Sequence, residues 1–355
     1  EPDAWKDVPG SGTFYWVRED LPASWDAGIP VHCASASTVL ADPVGMLATT
    51  GNWKHGMKED LEWVREAAGD SGKKETGFSL MVGAEMYQGA GANRVQELAY
   101  SLSHAHEYIL RLNDGAAGRA LLECPVFKLS LGGDYFMDIA KLRALRKLWA
   151  LLATENGFSG ACRIIAQPGL RNKTLYDYNT NMLRTTLESM SAVLGGADLV
   201  CNLPYDALYN APNDCVVRIA RNQLLLLRHE AHFDKVLNPA DGSYYLESLT
   251  DALGRKALDL FKTLEKGGGL LAQLKSHRIQ KKIRESARKE ARAITDGARV
   301  LVGSTAFPNP EDRMADKLPE GYGKRTGKGK TLIEPLPLRR LSAEYESKRL
   351  RDEKR

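Results

Sequence analysis

Few side chains in this 355-residue sequence stand at spacings that do chemistry. Glu85 and Asp134 each follow a short apolar run by three residues. Strand ends of an α/β barrel present reacting groups at such positions, and two carboxyls on neighbouring loops could serve as general acid and base. Asp134 also stands just before Tyr135-Phe136-Met137, where an Asp more commonly caps a helix. Gln167, Asn202 and Asn238 hold other strand-end positions. His229-Glu230-Ala231-His232 imitates a zinc helix, but its histidines are three residues apart where the motif needs four, so no metal is expected there. His104 and His106, two apart on a helix, diverge by about 200° and cannot chelate together. Gly329-Lys330-Thr331 ends as a phosphate loop ends, yet Lys324 stands where that loop needs its first glycine and no strand precedes it. It reads as linker. Asn172-Lys173-Thr174, followed by Tyr176 and Tyr178, could form an anion or ligand pocket at a helix start. The simpler reading is a polar rim whose aromatics pack on the next helix.

The elements that must position these groups alternate from about residue 78 to residue 302. Strands are expected at Phe78 to Val82, Pro125 to Leu131, Cys162 to Ala166, Leu199 to Leu203, weakly at Lys235 to Leu237, and at Arg299 to Val302. Between them, apolar residues recur at three- and four-residue spacing. This predicts helices over about 92–112, 135–155, 175–194, 214–230, 244–264 and 272–294. Upstream, Pro30 to Cys33 and a helix near Lys58 to Ala67 supply another unit. Seven or so βα units without a glycine-rich dinucleotide turn fit a (β/α)8 barrel of the TIM type better than a doubly wound sheet. Residues 1–307 are read as that barrel with an N-terminal arm. Residues 308–355 are read as a basic linker, richest in Gly and Lys over 321–330, and a helical tail over Leu338 to Lys354.

Charged residues make up 26% and apolar residues 43% of the chain, the balance of a globular protein, and no apolar run reaches membrane-spanning length. Glu1-Pro2-Asp3-Ala4-Trp5-Lys6 has neither the basic nor the apolar region of a secretory signal. Five widely spaced cysteines, Cys33, Cys124, Cys162, Cys201 and Cys215, with no Cys-x-x-Cys, predict a cytoplasmic protein with reduced, buried thiols. The net charge of +4 is uneven: residues 315–355 hold 12 Lys/Arg against 7 Asp/Glu. Basic and aromatic residues do not interleave as a nucleic-acid reader requires.

Several blocks together carry a resemblance. They include Tyr87-Gln-Gly-Ala-Gly-Ala-Asn-Arg-Val-Gln-Glu-Leu-Ala-Tyr100, Asp138 to Trp149, Arg171 to Gly196, Arg218 to Gln223, Asn238 to Tyr245 and Ile279 to Ala287. From about Asp42 to Gly303 the chain resembles the adenosylcobalamin-dependent acyl-CoA mutases. It is most similar to the small (beta) subunits of bacterial heterodimeric methylmalonyl-CoA mutases. The resemblance implies a (β/α)8 substrate barrel, adenosylcobalamin carried by a large partner subunit, and interconversion of (R)-methylmalonyl-CoA and succinyl-CoA by that partner.

Departures from the family pattern decide what is expected of this chain. Where the catalytic chain carries its Thr-His-Ser-Gln type sequence, this one reads Ile164-Ile165-Ala166-Gln167, with Ile165 in the histidine's place. An alkyl group can neither donate to a thioester carbonyl nor shuttle a proton. Thr50 stands near the position of the arginine that clamps the substrate carboxylate, which removes a bidentate guanidinium. None of the seven histidines has an Asp two residues before it, so the Asp-x-His-x-x-Gly cobalamin signature is missing and no cobalamin domain is expected here. The chain is therefore expected to be a silent barrel without catalytic, cofactor or metal residues, pairing with the large subunit. The rivals are a CoA-ester mutase barrel served by cobalamin in trans, and a CoA-binding regulatory barrel using Arg171 and Lys173. A filled apolar interior would exclude both rivals.

Overall fold

A computed structural model of the chain describes residues 16–17, 28–33, 36–70, 77–319, 322 and 329–353. Its seven strands form one sheet whose order is the order of the chain. β1 (Trp16–Val17), β2 (Gly28–Cys33) and β3 (Ala36–Ala41) are joined antiparallel. From β3 onward the sheet is parallel, through β4 (Gly77–Gly83), β5 (Val126–Leu131), β6 (Arg163–Pro168) and β7 (Leu199–Val200). A parallel sheet that adds each strand beside the last, with no reversal of order, is the pattern of a TIM-type barrel rather than of a doubly wound fold. Among the described residues the sheet does not close.

The helices follow from local sequence. α1 (Pro43–Thr50) starts from Asp42, whose carboxylate accepts from the Gly45 N–H, with Pro43 at a position that needs no donor. α2 (Met57–Asp70) and α3 (Glu85–Ala90) follow β3 and β4. α4 (Arg94–Leu112) opens with a capping box in which Asn93 and Gln96 each satisfy the other's backbone. α5 (Ala116–Glu123), α6 (Tyr135–Glu155), α7 (Thr180–Leu194), α8 (Asp214–His229) and α9 (Tyr244–Lys266) complete the outer layer. α10 (Gly269–Lys275) and α11 (Arg278–Thr295) are the helical segments expected over about 272–294. The break falls at His277, whose φ of 58° is left-handed and cannot continue a helix. Gly91, at φ 111°, ends α3 against α11, and a Cβ there would lie 2.5 Å from the Ala287 Cβ.

The main core lies between the sheet and this layer, with Leu80, Val82, Phe127, Leu129, Ile164 and Ala166 facing Leu98, Leu102, Leu145 and Trp149. Trp149 donates its indole N–H to the Ala161 carbonyl at 2.8 Å.

Three expectations are corrected. Pro30 to Cys33 does not open a βα unit: it lies in β2, antiparallel to β3, and β3 is the strand that feeds α1 and α2. Residues 235–237 form no strand, and Val236 and Leu237 are exposed, so the apolar pair has no sheet to join. Arg299 to Val302 contributes one isolated bridge, Val302 to Ala306. The expected tail helix over 338–354 is α12 (Ala343–Glu353), preceded by an extended stretch. Most of 321–330 lies outside the described residues, but 329–353 packs onto the loops that follow the strands. Ile333, Leu336 and Leu341 are buried, and the N–H groups of Leu336, Arg339 and Leu341 donate to the carbonyls of Ala48, Gly89 and Arg171.

Candidate functional site

Ile165 points to the face of the sheet opposite its neighbours Ile164 and Ala166, as the two-residue period of a strand requires. There it packs, almost wholly buried, with Leu40, Met81, Val126, Leu199 and Cys201. The position expected to have held a catalytic histidine thus lies inside a patch of alkyl and thiol groups. Level with it on β5 is Lys128, whose ammonium pairs with Glu85 at 3.2 Å. Sequence reasoning passed over Lys128, although a lysine within the apolar run Val126-Phe127-Lys128-Leu129 is itself a signal. Glu85 is thereby committed to Lys128. Asp134 does not cap α6: its side chain makes no cap bond and instead pairs with Arg94 at 2.8 Å. The two carboxyls have separate cations and form no acid/base dyad of their own.

Asp42, at the end of β3, is a buried carboxylate with four hydrogen bonds. Its Oδ1 accepts from Gly45 N–H at 2.8 Å, from Tyr108 O–H at 2.5 Å and from His104 Nε2 at 2.9 Å, and its Oδ2 accepts from Gly83 N–H at 2.7 Å. Tyr87 O–H lies 3.3 Å from His104 Nδ1. Burial would raise the Asp42 pKa, but the His104 imidazole and the donors around the carboxylate outweigh it and hold the group below its ordinary value. Burial, with the Asp42 charge second, pushes Tyr87 and Tyr108 well above the usual phenol range. This cluster ties β3, β4, α1, α3 and α4 together. His106 points elsewhere, to Glu265 at 2.7 Å, as the two-residue spacing requires.

The loop after β6 carries the Asn172-Lys173-Thr174 sequence. The Lys173 ammonium is buried among Glu188 Oε1 and Oε2 at 2.9 and 2.7 Å, the Gly169 carbonyl at 2.9 Å and Asn172 Oδ1 at 2.8 Å. Asn172 donates to Glu188 at 2.7 Å, and Asn181 joins the Thr174 backbone. Burial lowers Lys173 and raises Glu188 to about 7, so desolvation outweighs the attraction within the pair. Arg171 is held by Glu290 at 2.6 Å and by the Arg339 carbonyl. Tyr176 donates to Glu353 at 2.6 Å beneath the Arg349 guanidinium, and Tyr178 stacks on Tyr205. The loop is thus the polar, aromatic rim on which α7 and the tail are seated, and its two cations have carboxylate or carbonyl partners.

Thr50 sits exposed at the end of α1 with its hydroxyl bonded to the Met46 carbonyl. His229 and His232 are exposed, one in the last turn of α8 and the other beyond it, and no group of three metal-binding side chains occurs among the described residues. Cys124, Cys162, Cys201 and Cys215 are free thiols. Cys162 and Cys201 are buried, whereas Cys124 and Cys215 are exposed, which corrects the expectation of uniformly buried thiols; Cys33 lies in β2, where side chains are outside the described residues. No helix among the described residues is long and apolar enough to cross a membrane.

Sheet order, outer helices and strand-end loops define an α/β protein of the TIM-barrel kind, in which Ile165 sits in an apolar cluster beside the Lys128–Glu85 pair. The methylmalonyl-CoA mutase family model matches residues 27–324, and the chain belongs to that family. The methylmalonyl-CoA mutase small subunit of Porphyromonas gingivalis is 37% identical over 281 residues, 78% of this chain and 46% of that protein. The small subunit from Streptomyces virginiae is 35% identical over 315 residues, 87% of this chain and 50% of that one. The methylmalonyl-CoA mutase of Rhizobium meliloti is 34% identical over 251 residues, 68% of this chain and 34% of that protein. The chain spans about half or less of the length of these curated relatives.

Proposed function

We propose that this chain is the catalytically silent small subunit of a B12-dependent methylmalonyl-CoA mutase. It pairs with and stabilises a large subunit that interconverts (R)-methylmalonyl-CoA and succinyl-CoA. The observation that carries the reading is Ile165, buried in an apolar cluster at the position where the family places its histidine. Relatives named as small subunits imply a larger partner for those proteins, and the identity to them supports the same arrangement here.

Adenosylcobalamin supplies the radical chemistry where it is bound. The residues described here do not fit it: His104 is sealed beneath Asp42, His106 is held by Glu265, and no histidine follows the Asp-x-His pattern. No step is therefore routed through cobalamin on this chain. What its own residues do is structural. Ile165 packs with its apolar neighbours on the inner face, while Asp42 and Lys173 fix the strand-end loops from beneath.

Isothermal titration of the chain alone with methylmalonyl-CoA, and sedimentation with the large subunit, test the reading. No heat of CoA-ester binding together with a one-to-one complex is the expected result. Micromolar binding of the CoA ester by the isolated chain, or the absence of a complex, overturns it.

A further inference from the structure

α11 carries seven Lys/Arg and two Glu, a local excess of +5 in a chain whose total is +4. At about 100° per residue, Arg278, Lys281, Lys282, Arg288, Lys289 and Arg292 fall within an arc of about 120°, opposite the buried Ile279, Ile283 and Ala287. The stripe is about 21 Å long. All six cations are exposed, and the single acid among them is Glu285, bonded to Lys282 at 3.0 Å. Among the described residues, no carboxylate stands at ion-pair distance from Arg278, Lys281, Arg288, Lys289 or Arg292.

A merely solvated helix face mixes its signs, because opposite charges three or four residues apart stabilise the helix and like charges destabilise it. This face mixes its signs only at Glu285, which is bonded to Lys282 and attracted by Lys281 and Lys289, and it sets one acid against six cations. Arg278 and Lys281 stand in the first turn and Lys282 just beyond it, with no acidic residue and no side-chain cap there, so cations meet the positive end of the helix dipole. Arg288 and Arg292 repel each other one turn apart. One acid to six cations leaves an excess that no other carboxylate among the described residues pairs with, and such an excess points to a function outside the fold.

We propose that the outer face of α11 is a docking surface for an acidic surface of the partner subunit, whose carboxylates relieve this repulsion. The identity of the partner rests on the function proposed above. The absence of aromatics from the stripe and the carboxylate of Glu285 at its middle disfavour nucleic acid, which needs stacking side chains and an unbroken cationic track. A linear stripe also lacks the convergence that a compact phosphate cluster requires.

The test is the dissociation constant of the full chain and the large subunit at about 0.05 M and about 0.5 M salt. It is measured for the natural sequence and for the combined variant Lys281→Glu, Arg288→Glu, Lys289→Glu and Arg292→Glu. The expected results are weaker binding of the natural chain at high salt and roughly tenfold to hundredfold weaker binding of the variant at low salt. Arg278→Glu alone, at the first position of α11 and three and four residues before Lys281 and Lys282, should raise the melting temperature, which shows that the charge is a cost to the free chain. A variant that folds and binds equally well overturns the docking surface and leaves the pairing intact. No binding by the natural chain overturns both readings. Loss of heparin or duplex DNA binding with unchanged partner binding also overturns the proposal, in favour of a polyanion.

Discussion

Replacing Asp42 by Asn changes one heavy atom and strikes a buried carboxylate that accepts four hydrogen bonds. Three donors converge on Oδ1 (Gly45 N–H, Tyr108 O–H and His104 Nε2), so the Asn carbonyl must take that position. Its NH2 then faces the Gly83 N–H, donor against donor, in a site closed to water. An orphaned buried N–H costs about 1–3 kcal/mol. Turning three charge-assisted bonds into neutral ones costs about 1 kcal/mol each, and removing a buried charge returns part of this as relieved desolvation. The net expectation is a loss of about 2–4 kcal/mol at neutral pH, read by urea unfolding. The sign of the pH dependence follows from the depressed Asp42 pKa. The carboxylate's contribution is fully present above its unfolded value near 3.8 and is lost as pH falls through the lower folded value, so the gap between the two proteins narrows in acid. A variant within about 0.5 kcal/mol of the natural protein at pH 7 would refute the reasoning.

The buried pair after β6 makes a second case. Lys173→Met should destabilise by about 3–5 kcal/mol, and adding Glu188→Met should recover at least half of that, as a double-mutant cycle would measure. Because burial raises Glu188 from 4.5 to about 7, the folded state keeps a proton that the unfolded state releases between those values. Stability should therefore fall as pH rises across that window, and Glu188→Gln should remove that part of the titration. Deleting residues 329–355 removes the buried Ile333, Leu336 and Leu341, exposes the apolar surface they cover, and should lower the melting temperature by about 5 °C or more in calorimetry. Cys124 and Cys215 should react with a thiol reagent in the native protein, whereas Cys162, whose thiol burial pushes up to about 12, should react only after unfolding.

Where apolar period and stop signals coincided, the fold was legible. α4, α6, α8 and α9 lie within two residues of their expected limits because each buries a continuous stripe and ends at polar or glycine residues. The expected strands at 235–237 and 299–302 failed for a shared reason: a β-prone triplet is a strand only if a neighbour accepts its hydrogen bonds, and Leu237, Val300 and Val302 stand exposed. The apolar surroundings of Ile165 could be anticipated because alternation fixes which side chains share a face. The Asp42 cluster could not, since it joins residues 42, 83, 87, 104 and 108 across two βα steps. Its one local trace was His104 and Tyr108 a turn apart on the buried face of α4. Asp134 misled because Asp before a helix usually caps it; Arg94 takes that carboxylate instead.

The measurement closest to the central claim is turnover of methylmalonyl-CoA to succinyl-CoA with adenosylcobalamin. It should be run with this chain alone, with the large subunit alone, and with both. Silence of this chain alone, with greater or longer-lived activity of the mixture than of the large subunit by itself, is predicted. Turnover by this chain alone would contradict the reading of Ile165 as standing in the histidine's place.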